Sequence, residues 1–231
     1  MILAAGRGER MRPLTDTLPK PLLRAGNQML IEYHLHNLAQ AGFLEIIINH
    51  AYLGHMIEAA LGDGQRYSVH ITYSKETSVL ETAGGIANAL PLLTNGAANQ
   101  PFLVVNADIY VQMDYATLLP ALKRLHSTPE NDLAHLILVD NPPHHPAGDF
   151  FLANDRITTS GHATLTYSGI GAYHPILFNQ VTPGVATKLS PLLRHAISAK
   201  KVTGEYFSGT WMDIGTPERL QWLDKQFSDK K

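Results

Sequence analysis

The feature that most constrains this chain is the recurrence of short, unbroken apolar runs separated by stretches of helical period. Residues 46–48 are three consecutive isoleucines, and residues 102–105 and 136–139 are likewise uninterrupted. A strand with one wet face alternates, so runs that do not alternate point to strands covered on both faces, as in a parallel sheet between helices. Between them, residues 30–41 place Ile31, Leu35, Leu38 and Ala39 on one helical face before Gly42. Helices are predicted over 54–61, 86–93, 118–126, 189–199 and 216–227, and strands over 2–5, 45–49, 69–73, 101–109, 134–139, 150–153 and 165–173. This alternation predicts an α/β fold with a mostly parallel central sheet, helices on both faces and right-handed crossovers. At 231 residues and 45% hydrophobic content, one domain over 1–231 has ample core.

Ligands of such sheets gather outside the carboxyl ends of the strands. The first strand runs directly into Gly6 and Gly8, and Arg7, Arg10, Arg12 and Lys20 follow. Backbone N–H groups and cations after a strand suit a polyanion. The loop lacks the third glycine of a dinucleotide fingerprint and the Gly-Lys-Ser/Thr of a Walker loop, and a turn with a solvated basic rim is the plain alternative. Gly84 and Gly85 make a second place where a flat or anionic group can approach backbone closely, or else a helix start capped by Thr82. Asn106 and Asp108 end the strand over 101–109, where an aspartate can serve a ligand or merely a turn. His34 with His36, His50 with His55, and His144 with His145 lack ligand spacing, and with no cysteine a zinc site is not expected at any of them.

The run G-x-G-x-R-M-x-P-L-T followed by P-K-P, with W-M-D-I-G-T-P-E at 211–218, resembles the signatures of the sugar-1-phosphate nucleotidyltransferases. That resemblance implies a Rossmann-like nucleotidyltransferase fold and release of pyrophosphate as a nucleotide sugar is made. It implies that Arg10 and Lys20 are catalytic, holding the triphosphate and the incoming sugar phosphate. Ala4, Ala5, Gly6, Gly8, Glu81, Gly84, Gly85 and Asn106 would line the nucleotide, with Glu81 accepting from an imide N–H of uracil or thymine. Asp108 and Asp213 would hold Mg²⁺, and Gly148, Asp149 and Tyr167 would meet the sugar. Larger relatives carry a Glu-Lys-Pro stretch whose lysine grips the sugar phosphate, and it is absent here.

L-E-T-x-G-G-I, L-V-D-N-P-x-H-H-x-x-G-D-F, K-L-x-P-L-L-R and the ending T-G-E-Y to W-M-D-I-G-T resemble most the N-acetylmuramate-1-phosphate uridylyltransferases within that family. The partners implied are UTP and a sugar 1-phosphate carrying a lactyl carboxylate, in the recycling of cell-wall sugar. Other hexose-1-phosphate nucleotidyltransferases, specific for mannose with GTP or glucose with dTTP, and a non-catalytic nucleotide-sugar sensor are the alternatives. A net charge of −2 argues against nucleic-acid or membrane-surface partners, and no apolar run approaches a membrane span of about 20 residues. A cytoplasmic monomer or small homo-oligomer is expected, with a frayed charged tail at 229–231.

Overall fold

Every unbroken apolar run becomes a strand in the computed structural model, which describes residues 1–97 and 99–228. In chain order, β1 (Ile2–Leu3), β2 (Arg24–Ala25) and β3 (Gln28–Met29) lead into α1 (Leu30–Gln40). Next come β4 (Glu45–His50), α2 (Gly54–Leu61), β5 (His70–Lys75), α3 (Glu81–Thr94), β6 (Phe102–Asn106) and β7 (Ile109–Val111). Then follow α4 (Leu119–Ser127), β8 (Ala134–Val139), β9 (Phe150–Ala153), β10 (Arg156–Thr158) and β11 (Thr164–Tyr173). The last elements are α5 (Leu189–Ser198), β12 (Val202–Tyr206), β13 (Trp211–Asp213) and α6 (Pro217–Ser228). The tail at 229–231 lies outside the described residues. Contacts divide the chain into two compact units. One holds Ile2–Val79, Asn106–Ala116 and the chain from Thr210 onward; the other holds Met1, Leu80–Val105 and Thr117–Gly209.

In the first unit β5, β4 and β1 pair in parallel, with Ile2 opposite Ile48 and Ile46 opposite Ile71. All four of these isoleucines are buried, as the unbroken apolar run requires. Helix α1 buries Leu30, Ile31, Leu35 and Leu38 on one stripe, and the Glu32 carboxylate accepts from the Met29 N–H at 2.6 Å to close its first turn. A separate core cluster joins Met11, Leu23, Ala25, Leu30, Tyr110, Ile214, Leu220 and Leu223, so α6 and the first loop are tied to β7 and β13 by apolar burial. Between these strands the pairing is antiparallel, with Trp211 opposite Val111 and Asp213 opposite Ile109.

The second unit corrects part of the parallel expectation. Strands β8 and β12 pair in parallel, but β11 runs antiparallel to both β6 and β8, and β9 and β10 form an antiparallel pair. For β9 and β10 the reason is connection length, since only residues 154 and 155 join them, too few for a parallel crossover of a dozen residues or more. Two further boundaries differ from the sequence reading. Helix α3 begins at Glu81 rather than at residue 86, with Gly84 and Gly85 inside its first turns. The strand expected over 101–109 stops at Asn106, and Ile109 starts a new strand that turns to β13. Among the described residues no helix is long and apolar enough to cross a membrane.

His34 shows how the first unit fixes β7. Its ring is 1% exposed, with Nε2–H donating to the Ile109 carbonyl at 2.9 Å and Nδ1 accepting from the Tyr115 hydroxyl at 3.0 Å. Burial pushes this histidine down from 6.5 to about 4, against a smaller upward pull from the Ile109 carbonyl and the Asp108 charge. An unfolded chain therefore takes up a proton near pH 6.5 that the folded chain refuses until about 4. The stability contributed by neutral His34 is complete above pH 6.5 and is lost as the pH falls toward 4, at up to about 1.4 kcal/mol per pH unit. His135, also held down near 4 by burial, contributes in the same direction. Urea denaturation at pH 7 and pH 5 is expected to show lower stability at pH 5, and His34→Gln should flatten that dependence by about one proton's worth.

Candidate active site

The first loop is built on β1. Ala4 donates its N–H to Asn49 Oδ1 at 3.0 Å, and Asn49 Nδ2 donates to Glu76 Oε1 at 2.6 Å, so the ends of β1, β4 and β5 are laced together by side chains. Ala4 is buried, Ala5 half-buried and Gly6 exposed. Gly8 has φ +65, which favours glycine, and the buried Thr15 donates to its carbonyl at 2.8 Å to brace the loop. Arg10 stands exposed on a one-turn helix, Glu9–Met11, whose Met11 is in the core cluster. Of the neighbouring cations, Arg7 lies over the Tyr52 ring at 5.3 Å and Arg12 pairs with Asp16 at 3.2 Å.

Lys20 behaves differently from those arginines. Pro19 and Pro21 hold it at the start of another short helix, Lys20–Leu22, with its side chain only 8% exposed. A buried ammonium requires a partner, and Nζ donates to Asp108 Oδ2 at 2.6 Å. Asp108 itself is 42% exposed. It sits between β6 and β7, and the preceding Ala107 N–H is bound to the Leu3 carbonyl of β1 at 3.0 Å. Asp213, at the end of β13, is brought beside it by backbone pairing, since the Ile214 N–H donates to the Asp108 carbonyl at 2.7 Å. Asp213 Oδ2 accepts from Arg219 Nη1, a residue that the sequence reading did not single out. The two aspartates, Lys20, Arg10 and Asn106 thus belong to one compact unit.

The remaining candidates lie in the other unit. Glu81 is exposed at the first position of α3 with φ +58, a left-handed conformation that a non-glycine residue adopts at a cost. The N–H groups of Ala83 and Gly84 donate to the Thr187 carbonyl at 2.9 and 3.1 Å, and the Thr187 N–H returns to the Leu80 carbonyl at 2.9 Å. The Gly84 N–H expected to meet a nucleotide is therefore spent on the chain itself, and a Cβ there would lie 2.4 Å from the Val185 carbonyl. Gly85 is buried within the helix.

Gly148, Asp149 and Tyr167 form a structural knot. Gly148 has φ +60, and a Cβ on it would meet the Asn141 side chain at 2.6 Å. Asp149 accepts from the His145 ring at 3.1 Å and from the Tyr167 N–H at 2.8 Å, so both of its oxygens have protein partners. The Tyr167 hydroxyl pairs with that of Tyr173 at 2.8 Å, and burial pushes its ionisation well up. His145 and Asp149 both stand on the rim of this knot, with side chains 40% and 37% exposed.

Comparison with known proteins identifies the family. A profile described as nucleotidyl transferase matches residues 1–148. The chain is 52% identical to an N-acetylmuramate alpha-1-phosphate uridylyltransferase of Neisseria meningitidis serogroup B, over 96% of this chain and 94% of that protein. A protein of the same description from Caulobacter vibrioides is 30% identical over 94% of this chain and 92% of its own length. Among solved structures, a putative glucose-1-phosphate thymidylyltransferase from Bacillus anthracis superposes with a TM-score of 0.81 at 21% identity, covering 99% of this chain and 94% of that one, which speaks to the fold alone. With a profile match over residues 1–148 and relatives aligned along nearly the whole length, the chain belongs to the nucleotidyl transferase family.

Proposed function

We propose that the chain joins UTP and N-acetylmuramic acid 1-phosphate to give UDP-N-acetylmuramic acid and pyrophosphate, in the reuse of cell-wall sugar. The description carried by the Neisseria and Caulobacter relatives supports the choice of base and sugar. The observation that carries the chemistry is the buried Lys20 ammonium on Asp108, beside Asp213. The nucleophile, a phosphate monoester with second pKa near 6, is already largely dianionic at neutral pH and needs no strong base. Its obstacle is charge, because one polyanion must approach another in line with the departing pyrophosphate.

In this reading Lys20 exchanges its carboxylate for a phosphate oxygen, acting as a compact point charge, and Arg10 spans phosphates with its planar fork. Backbone N–H groups of the Gly6–Gly8 turn add partial positive charge. Asp108 and Asp213 would hold Mg²⁺. Two carboxylate donors fit a hard cation that completes its shell with water and substrate phosphates, and among the described residues no cluster of three or more His, Cys, Asp or Glu offers a closed protein cage. When bound, the ion neutralises triphosphate oxygens and fixes their orientation.

Pyrophosphate release measured over four triphosphates and several sugar 1-phosphates tests the assignment. UTP with N-acetylmuramic acid 1-phosphate is expected to be the best pair; preference for GTP with mannose 1-phosphate or dTTP with glucose 1-phosphate would reassign the substrate, and no release with any pair would make the chain a sensor. Asp108→Ala and Asp213→Ala should each abolish Mg²⁺-dependent release, and near-normal rates in both would remove the metal role. Stability separates these effects from unfolding. Asp108→Ala strands an ammonium 8% exposed, whereas Lys20→Met leaves a carboxylate 42% exposed that water can solvate. Urea titration should therefore show Asp108→Ala destabilised by roughly 2 kcal/mol more than Lys20→Met, although both lose turnover.

A further inference from the structure

Arg219 is a cation in contact with Asp213 that neither signature explains, and three features tie it to that carboxylate. Its Nη1 donates to Asp213 Oδ2, with the two side chains 18% and 23% exposed. The contact crosses Gly215, where a Cβ would lie 2.6 Å from Arg219 Nη2 and 3.0 Å from Asp213 Oδ2, so a side chain there would crowd the guanidinium in its present position. Finally, Arg219 is the third residue of α6, in the first turn, where the helix dipole disfavours a cation. Local helix energetics argue against an arginine at that position, and the pairing with Asp213 accounts for it.

We infer that Arg219 is a positioning residue for the divalent cation: it fixes the Asp213 carboxylate in one orientation against the β7–β13 ladder. The inference rests on the metal role proposed for Asp108 and Asp213. The ladder places the Asp213 backbone, through Ile109 and the Ile214 N–H, while the orientation of the carboxylate about its side-chain bonds is set by side-chain contact, to which Arg219 contributes. A small ion with strict octahedral demands gains from a carboxylate that is already oriented. The positive charge of Arg219 opposes the ion, yet partners of ligating carboxylates contribute tenfold or more to metal affinity in comparable sites, so orientation outweighs repulsion. Asp108 has its own cation in Lys20, and because Lys20 is assigned to the phosphates, Arg219 is the partner that stays with its carboxylate throughout.

The test is a titration of Mn²⁺, as a spectroscopic substitute for Mg²⁺, into the full chain with UTP, followed by electron paramagnetic resonance against UTP alone. Arg219→Met is expected to weaken Mn²⁺ binding about tenfold, with UTP binding in the absence of metal and the melting midpoint close to those of the unaltered chain. Arg219→Lys should recover part of the affinity, and high Mg²⁺ should restore most of the pyrophosphate release in Arg219→Met. Unchanged Mn²⁺ affinity in Arg219→Met, alongside weakened binding in Asp213→Asn, would overturn the positioning role while leaving the metal assignment intact. Unchanged affinity in Asp213→Asn would show instead that the metal assignment itself fails, and the inference with it. Equal losses of melting midpoint, metal-free UTP binding and metal affinity in Arg219→Met would reduce Arg219 to a packing role and overturn the inference.

Discussion

One backbone hydrogen bond organises the candidate site: the Ile214 N–H on the Asp108 carbonyl, closing the short ladder of β7 and β13. It brings together two aspartates that the chain keeps far apart, and it does so with main-chain geometry, which fixes position more tightly than side-chain contact. What keeps the ladder in place is apolar. Tyr110 follows Asp108 by two residues, Ile214 follows Asp213 directly, Met11 follows Arg10, and all three are members of the same buried cluster. Polar groups of the site are thus exposed or paired while their immediate neighbours are anchored in oil, a division that makes the charges adjustable and their scaffold rigid.

The electrostatics follow from that rigidity. Lys20 could not sit 8% exposed without Asp108, and a single carboxylate 2.6 Å away is its compensation. A phosphate oxygen offers the same compensation, so in the proposed reaction the lysine would exchange one ion pair for another. The exposed arginine of the same loop has no such constraint, since guanidinium is weakly hydrated and remains charged in either setting.

Much of the fold was legible because burial on both faces leaves an unmistakable mark, as at Ile46–Ile48 and residues 134–139. Helix α1 was equally plain from its stripe at Ile31, Leu35 and Leu38. The hairpin of β2 and β3 was not, because two-residue strands carry no period. The start of α3 was missed because glycines at 84 and 85 read as breakers, whereas here Gly84 admits the Val185 carbonyl against the helix. The antiparallel pairing of β9 with β10 could be inferred only from the two residues between them. For the site, Lys20, Asp108 and Asp213 were recognisable through signatures rather than through spacing, and Arg219 was hidden because a contact across a glycine turn follows neither helical nor strand periodicity. Asp149 stood at the sugar through resemblance alone, and its hydrogen bonds with His145 and the Tyr167 N–H could not be read from the sequence.

Glu81 carries a further lesson. Its backbone, at φ +58, occupies a region that an L-residue enters at a cost of about 1 kcal/mol and that glycine enters freely. The two residues best suited to such a bend stand only a few positions away, yet the carboxylate occupies the bend itself. Selection for a sturdier molecule would begin by replacing it, so directed evolution toward heat tolerance is apt to erase this side chain unless catalysis is screened in the same round.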